Sequence, residues 1–432
     1  MLRVAKVRRG GHAYYLDVAA QPGHDGIEAP GRWLGGAQDL GLSGPVTAGQ
    51  LGAVLDGVHP SSGDQLGSSH HRVTVAAYDL TFCSPKSVSL LFALGSEEVA
   101  SEVRAAHVAA VDAAVRYVAD RAVAVRRSVD ETRLPVQAEG VAAAGFLHRV
   151  SRALDPHLHT HVVMANLGRG PEGAWSALDG RGIYAHAGAA GALFHVQLRY
   201  ELTSRVGVRW EPLRSGRGDI EGIGVESRRA FSQRAASIAK HLADRGMASR
   251  RATEIAAHAT RPARRADIAP EDLGEWWRAR ARAVGLSPGR VAAVVGRDAG
   301  RPVAPLDEAR GAAVLAALGE RGRPIARRHV VRAWCDVLPR GAPALAVTEA
   351  AERTLEVLVG PSLVDSENPE VRGVGERRHD LPRARWPRLD RIDWRGQQEL
   401  ERALARRGME MDTPSARAMG RERDVDLGIG LG

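Results

Sequence analysis

The sequence predicts an α+β fold in which strands, two of them joined as a hairpin, pack against long helices. Val73 to Phe82 is β-branched and then aromatic, which is typical of a buried strand. Glu97 to Arg127 repeats apolar residues at helical spacing, as expected of a helix that packs across a sheet. Asp155 to Asn166 and Trp175 to Asp179 are two strand-like segments on either side of a glycine-rich turn, which predicts the hairpin.

The charge of the chain indicates a nucleic-acid partner. The formal net charge is +9, and only three of the 60 basic side chains are lysines, so arginine dominates. Arginine binds phosphate through two parallel hydrogen bonds and stacks on bases. The two isolated cysteines and the lack of a long apolar run predict a cytoplasmic protein without a membrane segment.

Three histidines stand at alternate positions in the segment Asp155 to Val163. Side chains two residues apart in a strand share one face, so His157, His159 and His161 can converge there. Three neutral imidazoles on a rigid element form a metal site with positions left open for substrate. The alternative is a polar strand edge on which the histidines are incidental.

Two adjacent tyrosines, Tyr14 and Tyr15, follow a glycine pair near the start of the chain. A phenol can attack phosphorus and keep the energy of the broken phosphodiester in a phosphotyrosyl bond. Taken alone, these residues favour the simpler interpretation, in which an aromatic pair anchors an N-terminal helix to the core.

The strand that ends at Phe82 leads into a second group of candidate residues. Asp79 lies in an apolar setting, where a carboxylate is costly unless it is paired, hydrogen-bonded or linked to a metal. Ser84 and Lys86 flank the predicted start of a helix, where free backbone N–H groups can bind phosphate. An ordinary strand–turn–helix connection is the alternative. Further candidates for DNA or phosphate binding are Arg149, Arg152 and Arg261.

Taken in order, these segments resemble a known family. The tyrosine pair, the segment Asp79 to Ser89, the segment Asp155 to His161, and the later segments Gly170 to Asp179 and Phe231 to Arg234 are similar to those of MobF-type conjugative relaxases, in the HUH endonuclease superfamily. The resemblance covers roughly the first 290 residues. It implies a palm-like antiparallel sheet flanked by helices, with the histidine strand at its centre.

The resemblance also implies an activity and a set of roles. The expected reaction is a site- and strand-specific nick at a plasmid transfer origin, with Tyr14 as nucleophile, a 5′-phosphotyrosyl bond and a free 3′-hydroxyl. His157, His159 and His161 match the metal ligands, Asp79 matches a base or orienting residue, and Tyr15 is a backup nucleophile.

The same resemblance implies the cofactor and the partners. The metal would be Mg²⁺ or Mn²⁺ by availability, although imidazoles also suit Zn²⁺ or Ni²⁺. The expected partners are single-stranded and hairpin DNA at the origin, a coupling protein and the type IV secretion machinery.

The sequence also departs from the family pattern. It has no second tyrosine pair at Gln21 to Asp25, which argues against a two-tyrosine termination mechanism. It also has no G-x-x-x-x-G-K-[ST] phosphate loop, so it predicts a truncated relative without a helicase motor. The expected organisation is a relaxase domain over 1–295, a helical linker with a possible DNA-binding remnant over 296–364, and a charged, disordered tail over 365–432.

Other functions remain open at this point. A rolling-circle replication initiator or a transposase-like nuclease would use the same residues, but replication initiators usually place the tyrosine after the histidines. A degenerate protein that binds an origin without cutting, and a three-histidine hydrolase of small molecules, are further alternatives.

Overall fold

A computed structural model describes residues 2–20, 30–67, 74–129, 132–260, 272–301, 306–320 and 325–359. Its centre is an antiparallel sheet in the order β1-β3-β7-β6-β2, with β8 paired to β7. The strands of this sheet are β1 Leu2–Arg8, β2 Arg32–Gly35, β3 Val75–Cys83, β6 Gly140–Val150, β7 Pro156–Arg169 and β8 Trp175–Ser176. A separate two-stranded ribbon consists of β4 Ala124–Val129 and β5 Thr132–Gln137.

Helices cover both faces of this sheet. Leu80, Phe82 and Val162 face a large apolar core shared with the helices α3, α4 and α5. Ala77 and Val163 face a smaller core shared with α1 and α2. The helices are α1 Ala13–Ala20, α2 Ala48–Asp56, α3 Lys86–Leu94, α4 Glu97–Arg121, α5 Arg181–Val206, α6 Val225–Ala230, α7 Gln233–Ala243, α8 Arg250–Ala259, α9 Leu273–Ala283, α10 Pro288–Ala292, α11 Glu308–Gly319, α12 Arg327–Asp336 and α13 Ala344–Val359, with a 3₁₀ helix at Ala37–Leu40.

The predicted α+β class and the palm-like sheet are therefore confirmed, with the histidine strand β7 between β3 and β6. The register of these pairs places His161 opposite both Thr81 and Phe146, and His159 opposite both Cys83 and His148. Opposed residues in a sheet share a face. The register thus fixes which side chains surround the imidazoles.

Several predicted element boundaries are wrong. The helix that starts at Glu97 ends at Arg121 instead of Arg127, because Ala124–Val129 pairs as a strand with β5 and buries Val125. Two short strands, β1 and β2, were not predicted. The helices α6 and α7 are separated at Phe231, which is fully buried.

The helices beyond residue 306 pack on the α5 side of the molecule. Val314, Trp334 and Val347 belong to the same apolar core as α5. The buried Arg199 of α5 donates to the carbonyl oxygens of Cys335 and Leu338, both at 3.1 Å. The segment expected to be a linker is thus packed on the preceding domain, whereas residues 360–432, including the expected disordered tail, lie outside the described residues.

In the described part of the chain, no helix is both long enough and apolar enough to cross a bilayer.

Candidate metal and tyrosine site

Three imidazoles form a nearly equilateral triangle on the sheet face that α1 covers. The ring centroids of His148 and His159 are 5.2 Å apart, those of His148 and His161 are 5.3 Å apart, and those of His159 and His161 are 5.3 Å apart. Rings that share one tetrahedral ion have centroids about 5 Å apart, given metal–nitrogen bonds of about 2 Å. The spacing of this triangle therefore fits a divalent ion.

His157 has a different position from the one expected of a third ligand. Its ring stacks on His159 at 4.5 Å, at the outer side of the triangle. The sequence prediction used neighbours along one strand, whereas the structure adds His148 from the adjacent strand, opposite His159. His148 lies on β6, which runs into the turn before β7. Pairing these two segments as a hairpin from the sequence would have indicated that His148 lies beside His159.

Hydrogen bonds set which nitrogens of the triangle can face an ion. Nδ1 of His159 lies 2.7 Å from the carbonyl oxygen of His157, and Nδ1 of His161 lies 2.9 Å from Asp79 Oδ2. Because Nδ1 of each of these two rings has a protein partner, Nε2 is the nitrogen that would bind an ion. A carboxylate on the far nitrogen of an imidazole is the usual support of a metal ligand.

Desolvation keeps the rings of His157 and His159 neutral at neutral pH. It lowers the pKa of His157 to about 3 and holds the pKa of His159 well below its ordinary value of 6.5. Neutral imidazoles have the lone pairs that a metal needs. Among the described residues, no three His, Cys, Asp or Glu side chains already converge on one point, so binding an ion requires these rings to turn.

Asp79 connects the imidazole triangle to the tyrosine pair. Its buried carboxylate accepts a hydrogen bond from the Tyr15 hydroxyl at 2.9 Å and contacts His161 Nδ1 at the same distance. Thr81 lies within 3.4 Å of the carboxylate and 3.3 Å of His161 Nδ1. These contacts supply the hydrogen bonds that a carboxylate needs in the apolar setting predicted for Asp79.

The two tyrosines of α1 have different environments. Tyr15 is 7 % exposed, and burial, with the charge of Asp79, raises the pKa of its phenol well above 10. Tyr14 is partly exposed, and its ring lies edge-on to Tyr15 at 5.2 Å. Tyr14 is therefore the more accessible of the two phenols, while Tyr15 holds the carboxylate.

Ser84 and Lys86, the residues predicted to bind phosphate at the start of α3, have partners within the protein, and the phosphate site stays a prediction. The Ser84 hydroxyl is buried and lies 2.8 Å from Nδ1 of His107. The backbone N–H and hydroxyl of Ser87 both donate to Asp219. Lys86 donates to the carbonyl oxygen of Pro156 at 2.6 Å, and burial lowers the pKa of Lys86 to about 8.

The other predicted DNA-binding residues lie near the histidines or outside the described residues. Arg149 follows His148 on β6, and Arg152 lies in the turn before β7; both are partly exposed. Arg261 lies outside the described residues. A DNA-binding role for these three arginines stays a prediction.

Asp155, at the start of the histidine segment, is an anchor that the sequence did not reveal. It is almost fully buried and accepts hydrogen bonds from the backbone N–H of Gln233 at 2.8 Å and from Arg280 at 3.0 Å. Trp277 also donates to the carbonyl oxygen of Leu154, which has a left-handed φ of 61°. The turn before the histidines is thereby fixed to α7 and α9.

A central antiparallel strand that carries clustered imidazoles, with a carboxylate joining them to an N-terminal tyrosine pair, is the arrangement of an HUH-type relaxase domain. The comparisons with known proteins agree. The model of the TrwC relaxase family matches residues 4–284, and the chain belongs to this family.

Named relatives show the same relationship. The chain is 33% identical over 299 residues to the multifunctional conjugation protein TraI of Escherichia coli strain K12, and 33% identical over 261 residues to a second Escherichia coli TraI. These matches cover 64% and 57% of this chain but only 16% and 14% of the relatives. The chain therefore matches only a small part of each relative's length.

Solved structures of TrwC are similar to the present fold. One is TrwC with a 27-mer DNA that comprises the recognition hairpin and the cleavage site, at a TM-score of 0.60 and 27% identity. Two others are TrwC with oriT DNA, metal-free at a TM-score of 0.61 and metal-bound at 0.60, both at 28% identity. Each match covers 67% of this chain and 100% of the other.

Proposed function

We propose that this protein nicks one DNA strand at a transfer origin and rejoins it through a 5′-phosphotyrosyl intermediate. The observation that carries the proposal is the hydrogen-bonded link from Tyr15 through Asp79 to His161. It places a tyrosine pair, a carboxylate and an imidazole triangle within one site. Membership of the TrwC relaxase family supports the same chemistry.

Tyr14 is the proposed nucleophile. A nucleophile must reach the phosphorus of a bound strand, and Tyr14 is the partly exposed member of the pair. Tyr15 is the proposed positioning residue, because its buried hydroxyl holds the Asp79 carboxylate. Tyr15 as nucleophile is the alternative that the experiments below distinguish.

The reaction conserves phosphodiester bonds. The Tyr14 oxygen bonds to phosphorus as the bond from phosphorus to the 3′-oxygen breaks. The phenol proton passes to a base, and the proposed base is Asp79, the carboxylate that the neighbouring Tyr15 holds. The departing 3′-oxygen takes up a proton and becomes a free hydroxyl. No ATP is needed, and the reverse reaction rejoins the strand.

His148, His159 and His161 are the proposed metal ligands, in place of the set that included His157. A divalent ion bound there, Mg²⁺ or Mn²⁺ by availability, would stabilise negative charge on the non-bridging phosphate oxygens. The role of Asp79 toward His161 is to fix the ring so that its Nε2 is the nitrogen that would bind the ion.

The test is incubation of the full chain with single-stranded oligonucleotides from a candidate origin and Mn²⁺, followed by denaturing electrophoresis. We expect a covalent protein–DNA adduct that is lost with a chelator and in His159→Ala. His241→Ala, on the exposed helix α7, is the matched control and should keep the adduct. An adduct of unchanged yield in His159→Ala would remove the triangle from the reaction.

The proposed cellular setting is conjugative transfer, with a coupling protein and a type IV secretion system as partners. The support is the similarity to conjugation proteins. Mating assays with the origin on a mobilisable plasmid test this setting. Transfer that is equally frequent with and without the wild-type protein would contradict it.

A further inference from the structure

A cavity among the described residues lies away from the imidazole triangle. Its volume is about 800 Å³, and Tyr78 lies in its wall. Tyr78 precedes Asp79 on β3, so its side chain points to the opposite face of the sheet. Along the strand, Tyr78 lies three residues, or about 10 Å, from Thr81, which contacts Asp79 and His161. We call this cavity the β8 pocket, since Trp175 and Ser176 of β8 also line it.

The charge of the β8 pocket is positive. Its lining includes four basic side chains, Lys6, Arg126, Arg127 and Arg181, against the two carboxylates of Glu172 and Asp179. An excess of cations over anions in a concave site favours an anionic ligand.

The arginines of the β8 pocket are held in place. Buried Asp179 accepts hydrogen bonds from Arg126 at 3.2 Å and from Arg181 at 2.8 Å. Arg127 donates to the Ser176 hydroxyl at 2.7 Å and to the carbonyl oxygen of Ala174 at 2.9 Å. Guanidinium groups fixed by such contacts lose little conformational entropy when they bind phosphate.

The wall of the β8 pocket is aromatic. Tyr184, at the start of α5, is 44% exposed and lies edge-on to the buried Tyr78, with ring centroids 6.4 Å apart. Trp175 is partly exposed on the same pocket. A Cβ on Gly180 would overlap the Tyr78 hydroxyl, so the glycine allows the Tyr78 ring to lie in this wall. Exposed aromatic rings beside cations are the features on which bases of single strands stack.

We infer that the β8 pocket binds one or two nucleotides of single-stranded DNA, outside the nicking site. The inference rests on the proposed DNA function of the chain and adds a second place of contact. Bases of a duplex are stacked inside the helix and cannot reach Tyr184, whereas unpaired bases can. A free nucleotide has the same chemistry as a nucleotide within a strand, so the test must separate these two sources.

The test uses the full chain, a chelator to prevent nicking, and a fluorescent oligothymidylate that carries 5-iodouracil. We expect photo-crosslinks that mass spectrometry maps to Tyr184 or Trp175. Tyr184→Ala and Arg181→Ala should each weaken binding, measured by fluorescence anisotropy, by about fivefold or more. Arg301→Ala is the matched control: like Arg181, Arg301 is largely exposed and pairs with a buried aspartate.

Four outcomes would overturn the inference. These are crosslinks confined to peptides around Tyr14 and the histidines, a Tyr184→Ala affinity within about twofold of the wild type, an equal loss for a duplex probe, and competition by thymidine monophosphate at the oligonucleotide's own concentration. Failure of the nicking proposal is separate, because a chain that forms no adduct can still give the Tyr184 crosslink.

Discussion

The two faces of strand β7 both hold imidazoles but use them differently. On one face, the partly exposed His159 and His161 meet the buried His148 and Asp79. On the other face, Thr160 contacts Nε2 of the fully buried His107, whose Nδ1 contacts the Ser84 hydroxyl, both at 2.8 Å. In this comparison, the buried histidine has protein partners on both nitrogens and supports the strand, whereas the face with the partly exposed imidazoles is the proposed metal site.

The largest expected effect of a mutation is on the exposed face. Asp79→Asn keeps the size of the side chain but removes the charge that accepts a proton and orients His161. We expect the rate of adduct formation to fall by about a hundredfold or more, with DNA affinity by anisotropy nearly unchanged. A rate close to that of the wild type would show that the carboxylate takes no part in the chemistry.

The ligand set can be resolved by two alanine variants on the same face. His148→Ala should weaken Mn²⁺ binding by roughly 10- to 100-fold or more, as loss of a supporting group already does. His157→Ala should weaken Mn²⁺ binding by a smaller factor, because the His157 ring lies outside the triangle. Isothermal titration calorimetry measures both. The reverse order of losses would restore His157 as a ligand.

On the buried face, a substitution should affect stability instead of chemistry. His107→Leu leaves the buried Ser84 and Thr160 hydroxyls without their partner, so the free energy of unfolding should fall by roughly 2–4 kcal/mol. Urea denaturation measures this loss. Adduct formation by the folded variant, at a temperature where it is fully native, should stay close to wild type, and a hundredfold loss there would contradict the division between the faces.

The smallest expected effect is a dependence of stability on pH. Burial lowers the pKa of His107 from 6.5 to about 3. Between these values the unfolded chain binds a proton that the folded chain does not, so the stability is complete above about pH 6.5 and falls as the pH is lowered. Urea midpoints between about pH 7.5 and 5 should show a shallower slope in His107→Leu. Equal slopes would assign the acid sensitivity to other groups.

The sequence alone predicted those features that depend on residues close together in the chain or on the order of motifs. Alternation placed His159 and His161 on one face of a strand, and the apolar setting of Asp79 indicated that it needs a partner. The order of the segments, through the family resemblance, was enough for the antiparallel sheet.

The sequence did not predict those features that depend on the pairing of strands or on contacts between distant parts of the chain. His148 joins the triangle only because the register of β6 sets it opposite His159. Ser84 contacts His107 because α4 packs behind the turn. Asp155 finds its partners on α7 and α9, far along the chain. Local patterns do not contain these long-range contacts.

The most direct test of the central claim is the identity of the tyrosine that carries the DNA. After reaction with an origin oligonucleotide and nuclease trimming, trypsin releases the peptide from Gly10 to Arg32, which contains both tyrosines. Fragmentation by mass spectrometry should place the phosphate on Tyr14, and Tyr14→Phe should form no adduct. A phosphate on Tyr15, with the adduct retained in Tyr14→Phe, would contradict the assignment of the exposed tyrosine as nucleophile.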